Sequence, residues 1–137
     1  MVEEAVAARE LEWGELLELP QETNELWKVA IKVMDPEFGA YSVHVTFRED
    51  GGELREVFVN VGTQGSTVQY LAASLARSWS KLLRLGLTPA GLASRLKGEH
   101  GPVCGETDYA PIPRVLSLED LVGKLIEHRY LREVLGQ

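Results

Sequence analysis

The sequence has little cysteine, few aromatic residues and no long apolar run. Cys104 is the single cysteine among 137 residues, which excludes an internal disulfide and a paired-cysteine zinc or redox motif in this chain. No apolar stretch approaches the roughly 20 residues that a transmembrane helix needs. The first residues also lack the basic start of a signal peptide. We therefore expect a soluble, cytoplasmic protein with no membrane partner.

Positive charge is also in deficit, since 14 lysines and arginines stand against 21 aspartates and glutamates, for a net charge of −7. Affinity for nucleic acid comes mostly from clustered basic residues, so we expect no nucleic-acid partner. The charges are unevenly distributed. Residues 1–24 carry seven glutamates and one arginine, Arg9, whereas residues 63–98 carry five basic residues and no acid.

The length is that of one ordinary domain, which can bury a single core without disulfides or metals. Glu and Ala favour a helix over about the first 19 residues, and Pro20 would end it. We predict an acidic N-terminal helical arm over residues 1–20 and a single domain over residues 21–137.

Three segments alternate apolar and polar residues, as half-buried strands do. They cover about residues 26–34, 40–48 and 54–61. The connections are short, a turn over residues 35–39 and a tight Asp50-Gly51-Gly52 turn. The pattern predicts a three-stranded antiparallel meander, whose one face is free to be covered by helices.

The strongest helix signal runs from Ser66 to about Leu85 and predicts a long amphipathic helix that covers the meander. The apolar stripe of this helix comprises Val68, Leu71, Ala72, Leu75, Ala76, Trp79, Leu82 and Leu83. The opposite face carries Arg77, Lys81 and Arg84.

Two shorter helices complete an α+β fold, one capped by Thr88 and ending near Lys97, the other capped by Ser117. Residues 98–116 show no periodicity and are expected to form an irregular loop. The loop contains residues of metal-ligand type, His100, Cys104, Glu106 and Asp108, but their spacing matches no zinc pattern, so we predict no metal site.

The junction between the third strand and the long helix is the first candidate site. Gly62 and Gly65 allow a tight turn, and Ser66 with Gln69 forms a possible capping box. Because backbone N–H groups and the helix dipole converge there, the turn could bind phosphate or another anion. The alternative, a plain turn with a capped helix, stays open.

Polar residues beside this turn form the second candidate site. Glu56 and Asn60 share one strand face and, with Gln64, could form a polar site. Alternatively, Asn60 only hydrogen-bonds the turn backbone.

These features, in this order, resemble the TSCPD domain, found at the C-terminal end of adenosylcobalamin-dependent (class II) ribonucleotide reductases and in small free-standing relatives. The likeness covers about Leu19 to Tyr130. The matching residues are Glu56-Val57-Phe58-Val59-Asn60-Val61-Gly62 with Gly65-Ser66, Leu75-Ala76-Arg77 with Ser80, Leu83, Arg84 and Gly86, Leu96-Lys97-Gly98, and Ser117-Leu118-Glu119-Asp120.

One departure concerns the Thr-Ser-Cys-Pro-Asp motif that names the family. Here it appears as Leu116-Ser117-Leu118-Glu119-Asp120, so the cysteine is lost. No thiol or metal role is expected at that position.

The resemblance implies a non-catalytic accessory or detached C-terminal module associated with adenosylcobalamin-dependent ribonucleotide (ribonucleoside-diphosphate) reductase, in deoxyribonucleotide synthesis. Such a module would dock onto the reductase large chain or position a nucleotide. It would bind no cofactor itself, because adenosylcobalamin would sit on the partner reductase. Together with the candidate sites at the turn and on the basic helix face, this gives the predicted binding residues Glu56, Asn60, Gly62, Gln64, Gly65, Ser66, Arg77, Ser80, Lys81 and Arg84.

Two other functions stay open. One is a small nucleotide- or anion-binding module unrelated to the reductase. The other is a structural homo-oligomer, in which the basic helix of one copy meets the acidic arm of the next.

Overall fold

In the computed structural model, which describes residues 24–62 and 66–131, the first elements are three long strands. They are β1 (Asn24–Asp35), β2 (Gly39–Asp50) and β3 (Glu53–Val61), and each pairs antiparallel with the next. Gly51 and Gly52 have φ angles of 62° and 85°, the left-handed values that this tight hairpin requires. The three predicted strands and their antiparallel order are therefore present, as part of a larger sheet.

Within the described residues the sheet has five strands, however, and the prediction of three was wrong. β4 (Gly105–Thr107) pairs with β1 and β5 (Arg114–Val115) pairs with β4, which gives the order β3-β2-β1-β4-β5. Both strands lie in the segment that was expected to be irregular. Strands this short cannot display alternation, and they join the sheet through backbone pairing that the side-chain pattern does not show.

Gly105 makes the contact between β4 and β1 possible. Its φ angle is 150°, and a Cβ atom at this position would lie 2.0 Å from the carbonyl oxygen of Met34 on β1. Only glycine allows so close an approach of two backbones.

The described helices lie at the predicted places: α1 (Ser66–Arg84) and α2 (Pro89–Leu96) come between β3 and β4, and α3 (Leu118–Tyr130) follows β5. The Thr88 hydroxyl oxygen accepts a hydrogen bond from the Gly91 N–H at 3.0 Å, and the Ser117 hydroxyl accepts one from the Asp120 N–H at 2.9 Å. Both predicted caps are thus confirmed.

The core lies between one face of the sheet and the three helices. Alternate strand residues such as Val45, Phe47 and Val57 are buried there, with Ala72, Ala76, Trp79 and Leu83 of α1 and the apolar sides of α2 and α3. The predicted stripe on α1 was too wide, because Leu71 and Leu82 are 52% and 41% exposed. The helix packs along the edge strand β3 and does not cover the whole meander as predicted, so a narrower side of it is buried.

A buried carboxylate ties the C-terminal part together. Asp120 is fully buried and accepts hydrogen bonds from the backbone N–H groups of Gly98 at 2.8 Å and Leu116 at 2.9 Å. The Lys124 ammonium lies 2.9 Å from the same carboxylate. Burial raises the pKa of Asp120, but the Gly98 N–H, Lys124 and the Leu116 N–H together hold it below its ordinary value.

A second buried carboxylate joins α3 to the sheet. Glu49 accepts hydrogen bonds from Arg129 Nε at 2.6 Å and Nη2 at 3.1 Å, and from the Tyr130 hydroxyl. The Arg129 guanidinium also lies over the Trp27 ring, 4.7 Å from its centroid. Burial raises the pKa of Glu49, and the donors Arg129 and Tyr130 more than offset this, so the pKa is lowered. These contacts fix the end of α3 on β1 and β2.

The predicted division into an arm and a domain stays a prediction. Residues 1–20 lie outside the described part of the chain.

Candidate functional site

A groove of about 430 Å³ runs between β3 and α1. β3 is an edge strand, so one row of its backbone groups faces the helix instead of another strand. The lining residues are Glu56, Val57, Phe58, Val59 and Asn60 of β3, with Ala73, Ala76, Arg77, Ser80, Lys81 and Arg84 of α1. Six of the ten predicted site residues thus line one groove: Glu56, Asn60, Arg77, Ser80, Lys81 and Arg84.

Ser80 and Gln69 fasten α1 to the edge of β3. The Ser80 hydroxyl accepts a hydrogen bond from the Val57 N–H at 2.8 Å and donates one to the Val57 carbonyl at 3.0 Å. Further along, the Gln69 side-chain oxygen accepts a hydrogen bond from the Val61 N–H. Edge-strand groups that would otherwise lack partners are satisfied in this way, so Ser80 has a clear structural role.

Asn60 takes part in the same arrangement. Its side-chain oxygen accepts a hydrogen bond from the Gln69 amide at 3.0 Å. Gln69 therefore bonds two residues of β3 through its side chain, which differs from the capping box that the sequence suggested.

Glu56 bridges β2 and α1. Its carboxylate lies 3.0 Å from Arg48 Nη1 and 3.4 Å from Arg84 Nη1, and all three side chains are partly buried. The negative charge of Glu56 is thus balanced inside the protein, and Arg84 is engaged in holding the groove together.

Arg77 and Lys81 differ from Arg84. Both side chains are exposed, and neither forms an ion pair with another residue in the ranges 24–62 and 66–131. The helix that carries them contains no acid. One wall of the groove therefore presents two positive charges to solvent.

The predicted anion-accepting turn is only partly described. The Gly62 N–H donates a hydrogen bond to the Ser42 carbonyl at 2.8 Å, so this N–H is already paired. Ser66 begins α1, while Gln64 and Gly65 lie outside the described residues.

The sequence did not indicate the other five groove residues as part of a site: Val57, Phe58, Val59, Ala73 and Ala76. Phe58 is 42% exposed on the same strand face as Glu56 and Asn60, so the strand alternation could have identified it. Ala73 and Ala76 are small residues on the side of α1 that approaches β3. Their spacing in the sequence is the same as that of alanines that only pack in a core, so it could not show that they line a groove.

Two further observations concern the described residues alone. No three His, Cys, Asp or Glu side chains among them are grouped so that they could hold a metal ion. None of the described helices is long and apolar enough to cross a membrane.

Comparison with known families identifies the fold. The model of the TSCPD domain matches residues 21–130, which is most of the chain and includes β1 to β5 and all three helices. Comparison with curated proteins and with solved structures gives no significant match. The family match, together with the strand, groove and helix described above, shows that this chain belongs to the TSCPD domain family.

Proposed function

We propose that this chain is a non-catalytic accessory module of adenosylcobalamin-dependent ribonucleotide reduction that docks onto the reductase large chain through the basic wall of the β3–α1 groove. TSCPD domains are associated with ribonucleotide reductases, and this association supports a reductase as the partner. Adenosylcobalamin would be bound by that partner.

The observation that carries the proposal is that Arg77 and Lys81 are exposed and form no ion pair with another described residue. Exposed cations on a fixed helix, with no ion-pair partner among the described residues, are suited to meet carboxylates of another protein surface. The helix does not need to reorganise for this contact, because Ser80 and Gln69 already hold it on β3. A preorganised surface loses less conformational entropy on binding.

The charges also suit a transient contact. Opposite charges across an interface steer association and raise its rate, and salt screens them over about 8 Å at physiological ionic strength. We expect the complex to form most readily at low salt.

Affinity capture of the tagged full chain from an extract of its own source, at low salt, tests the partner. The bound chains are identified by mass spectrometry, and the reductase large chain is quantified in the input and the eluate. Enrichment of the reductase is the expected result. Recovery of the bait alone, with reductase present in the input, would contradict the proposal.

The groove itself favours a second candidate function, a nucleotide- or anion-binding module. Phe58 offers a half-exposed ring and Arg77 and Lys81 offer charges within one cavity of about 430 Å³. A ligand that binds only the folded state raises its stability by RT ln(1 + [L]/Kd), about 2.7 kcal/mol at 100 times Kd. A rise in Tm with a nucleotide would support this function, and an unchanged Tm at millimolar nucleotide would reject it.

A further inference from the structure

The edge strand β3 presents a row of backbone groups to the groove, and these groups are unequally satisfied. The Val57 N–H points away from β2 and donates a hydrogen bond to the Ser80 hydroxyl. The Val61 N–H points the same way and donates to the Gln69 side-chain oxygen. Because the outward direction alternates along a strand, the N–H and carbonyl of Val59 also point away from β2.

Val59 lacks the side-chain partner that its two neighbours in this row have. Within residues 24–62 and 66–131, no group on the outward side forms a hydrogen bond with its N–H or with its carbonyl. The residue is 3% exposed and lines the groove. Buried backbone donors and acceptors are almost always paired, so these two groups require a partner that enters the groove.

The side of α1 that meets β3 explains why Val59 is left without a partner. Its residues recur at spacings of four, three and four, and they are Gln69, Ala73, Ala76 and Ser80. The two outer residues bond the strand, whereas the two alanines between them have no polar side-chain atom. Ala76 lies one turn before Ser80, about 6 Å along the helix, and Val59 lies two residues after Val57, about 6.8 Å along the strand. Ala76 is therefore beside Val59 and leaves its backbone groups open to the groove.

We propose that the β3–α1 groove holds a nucleotide by its base, whose Watson–Crick edge pairs with the N–H and the carbonyl of Val59. A ligand that satisfies both groups must present an acceptor next to a donor. Nucleobases do so on this edge, as adenine does with a ring nitrogen that accepts and an amino group that donates. The inference rests on the second candidate function, the nucleotide-binding module, and adds how the ligand is recognised.

The rest of the groove suits the other parts of a nucleotide. Phe58, next to Val59 on the strand, is 42% exposed and offers an aromatic surface on which a base can stack. Arg77 and Lys81 line the same groove from α1, one helical turn apart, and suit the phosphates. The volume of about 430 Å³ lies within the range of about 300–1,000 Å³ that is typical of small-molecule sites.

Isothermal titration calorimetry of the full chain with three probes tests this. ADP is the nucleotide, and pyrophosphate supplies the phosphates without a base. The third probe is ADP with two methyl groups on the exocyclic amino nitrogen, which keeps the ring and the phosphates but loses the donor and blocks the pairing edge. We expect ADP to bind at least about tenfold more tightly than either of the other two.

Ala76→Ser tests the same contact from the side of the protein. The new hydroxyl would lie beside Val59 as the Ser80 hydroxyl lies beside Val57, and it would take up the two backbone groups. ADP affinity should fall about tenfold, while pyrophosphate affinity and the urea midpoint should not fall. Ala90→Ser is the matched control, since it makes the same change at an exposed residue of α2 that does not line the groove. This control should bind ADP as the wild type does.

Three results would overturn the inference. Equal affinity for ADP and pyrophosphate would show an anion-binding groove without a base site. ADP affinity that is unaffected by the two methyl groups or by Ala76→Ser would show that the base does not pair with Val59. No binding of ADP or pyrophosphate at millimolar concentration would reject the nucleotide-binding module together with this inference. The measurement contains no reductase, so its outcome is independent of the proposed partner.

Discussion

Asp120 in α3 and Arg77 in α1 show two opposite uses of charge in one small domain. Asp120 is fully buried and is surrounded by two backbone N–H groups and a lysine. Arg77 is exposed and has no acidic partner among the residues described. The comparison separates charges that hold the fold together from charges that remain available for another molecule.

The regions around these two residues differ in the same way. Away from the groove, three carboxylates, Asp35, Glu49 and Asp120, anchor loops, strands and α3 through hydrogen bonds. Along the β3–α1 groove the neutral side chains of Ser80 and Gln69 share the anchoring with the ion pair between Glu56 and Arg84, while Arg77 and Lys81 take no part in it. Substitutions in the first region should therefore affect stability, and charge changes at Arg77 and Lys81 should affect binding.

Acid should give the largest effect, because it acts on all three carboxylates at once. Burial raises the pKa of each, but hydrogen-bond donors outweigh it, and each folded-state pKa lies below its ordinary value of 3.8 for Asp or 4.5 for Glu. A group with a lowered folded-state pKa stabilises the fold above its unfolded-state pKa and ceases to do so as pH falls through the folded-state value. Urea unfolding should show a loss of stability below about pH 4.

A pH-independent free energy of unfolding between neutral pH and about pH 3 would contradict this account of the carboxylates.

Asp120→Ala tests one of these three carboxylates by itself. The substitution removes the acceptor of the Gly98 and Leu116 N–H groups and the partner of Lys124. We therefore expect the free energy of unfolding to fall by about 3–5 kcal/mol. Glu119→Ala is the control, since this neighbouring acid has no such contacts and its favourable position in the first turn is worth about 0.3–1 kcal/mol. Equal destabilisation of the two variants in urea would show that Asp120 is not an anchor.

Gly105→Ala tests the short strands. The new methyl group would overlap the Met34 carbonyl oxygen, so β4 must move away from β1. We expect the free energy of unfolding to fall by about 2–4 kcal/mol. Gly101→Ala is the matched control, because its Cβ would meet Ser117 Cβ at an ordinary 3.6 Å. Similar urea midpoints for the two variants would be inconsistent with the close approach.

Ser80→Ala should have the smallest of these effects on stability. It leaves the Val57 N–H and carbonyl on the edge strand without partners, which costs about 1–3 kcal/mol. Ser78→Ala, an exposed change on the same helix, should be nearly neutral. If both changes are neutral, the attachment of α1 to β3 does not depend on Ser80.

Side-chain periodicity predicted much of the fold and less of the site. β1, β2, β3 and the three helices are long or capped by recognisable residues, so alternation and the Thr88 and Ser117 caps located them. β4 and β5 were missed because two or three residues carry no period and their pairing depends on Gly105.

The groove was harder to predict because it depends on where α1 lies. Periodicity says which side of a helix is buried but does not say whether the helix lies across a sheet or along its edge. Here the two hydrogen bonds of Ser80 to Val57 place it along the edge. The sequence brought Glu56, Arg77 and Lys81 together as candidates, but only the structure separates the paired Glu56 from the exposed Arg77 and Lys81.

The most direct test of the proposed function is the affinity of purified reductase large chain for the wild-type chain, Arg77→Glu and Arg95→Glu, measured at low salt. The two variants have the same net charge, and both substituted residues are exposed, so neither should change the free energy of unfolding by more than about 0.5 kcal/mol. We predict that the wild type and Arg95→Glu bind alike and that Arg77→Glu raises Kd about tenfold, equivalent to about 1.4 kcal/mol. No binding by the wild type, or equal binding by all three chains, would contradict docking through the groove.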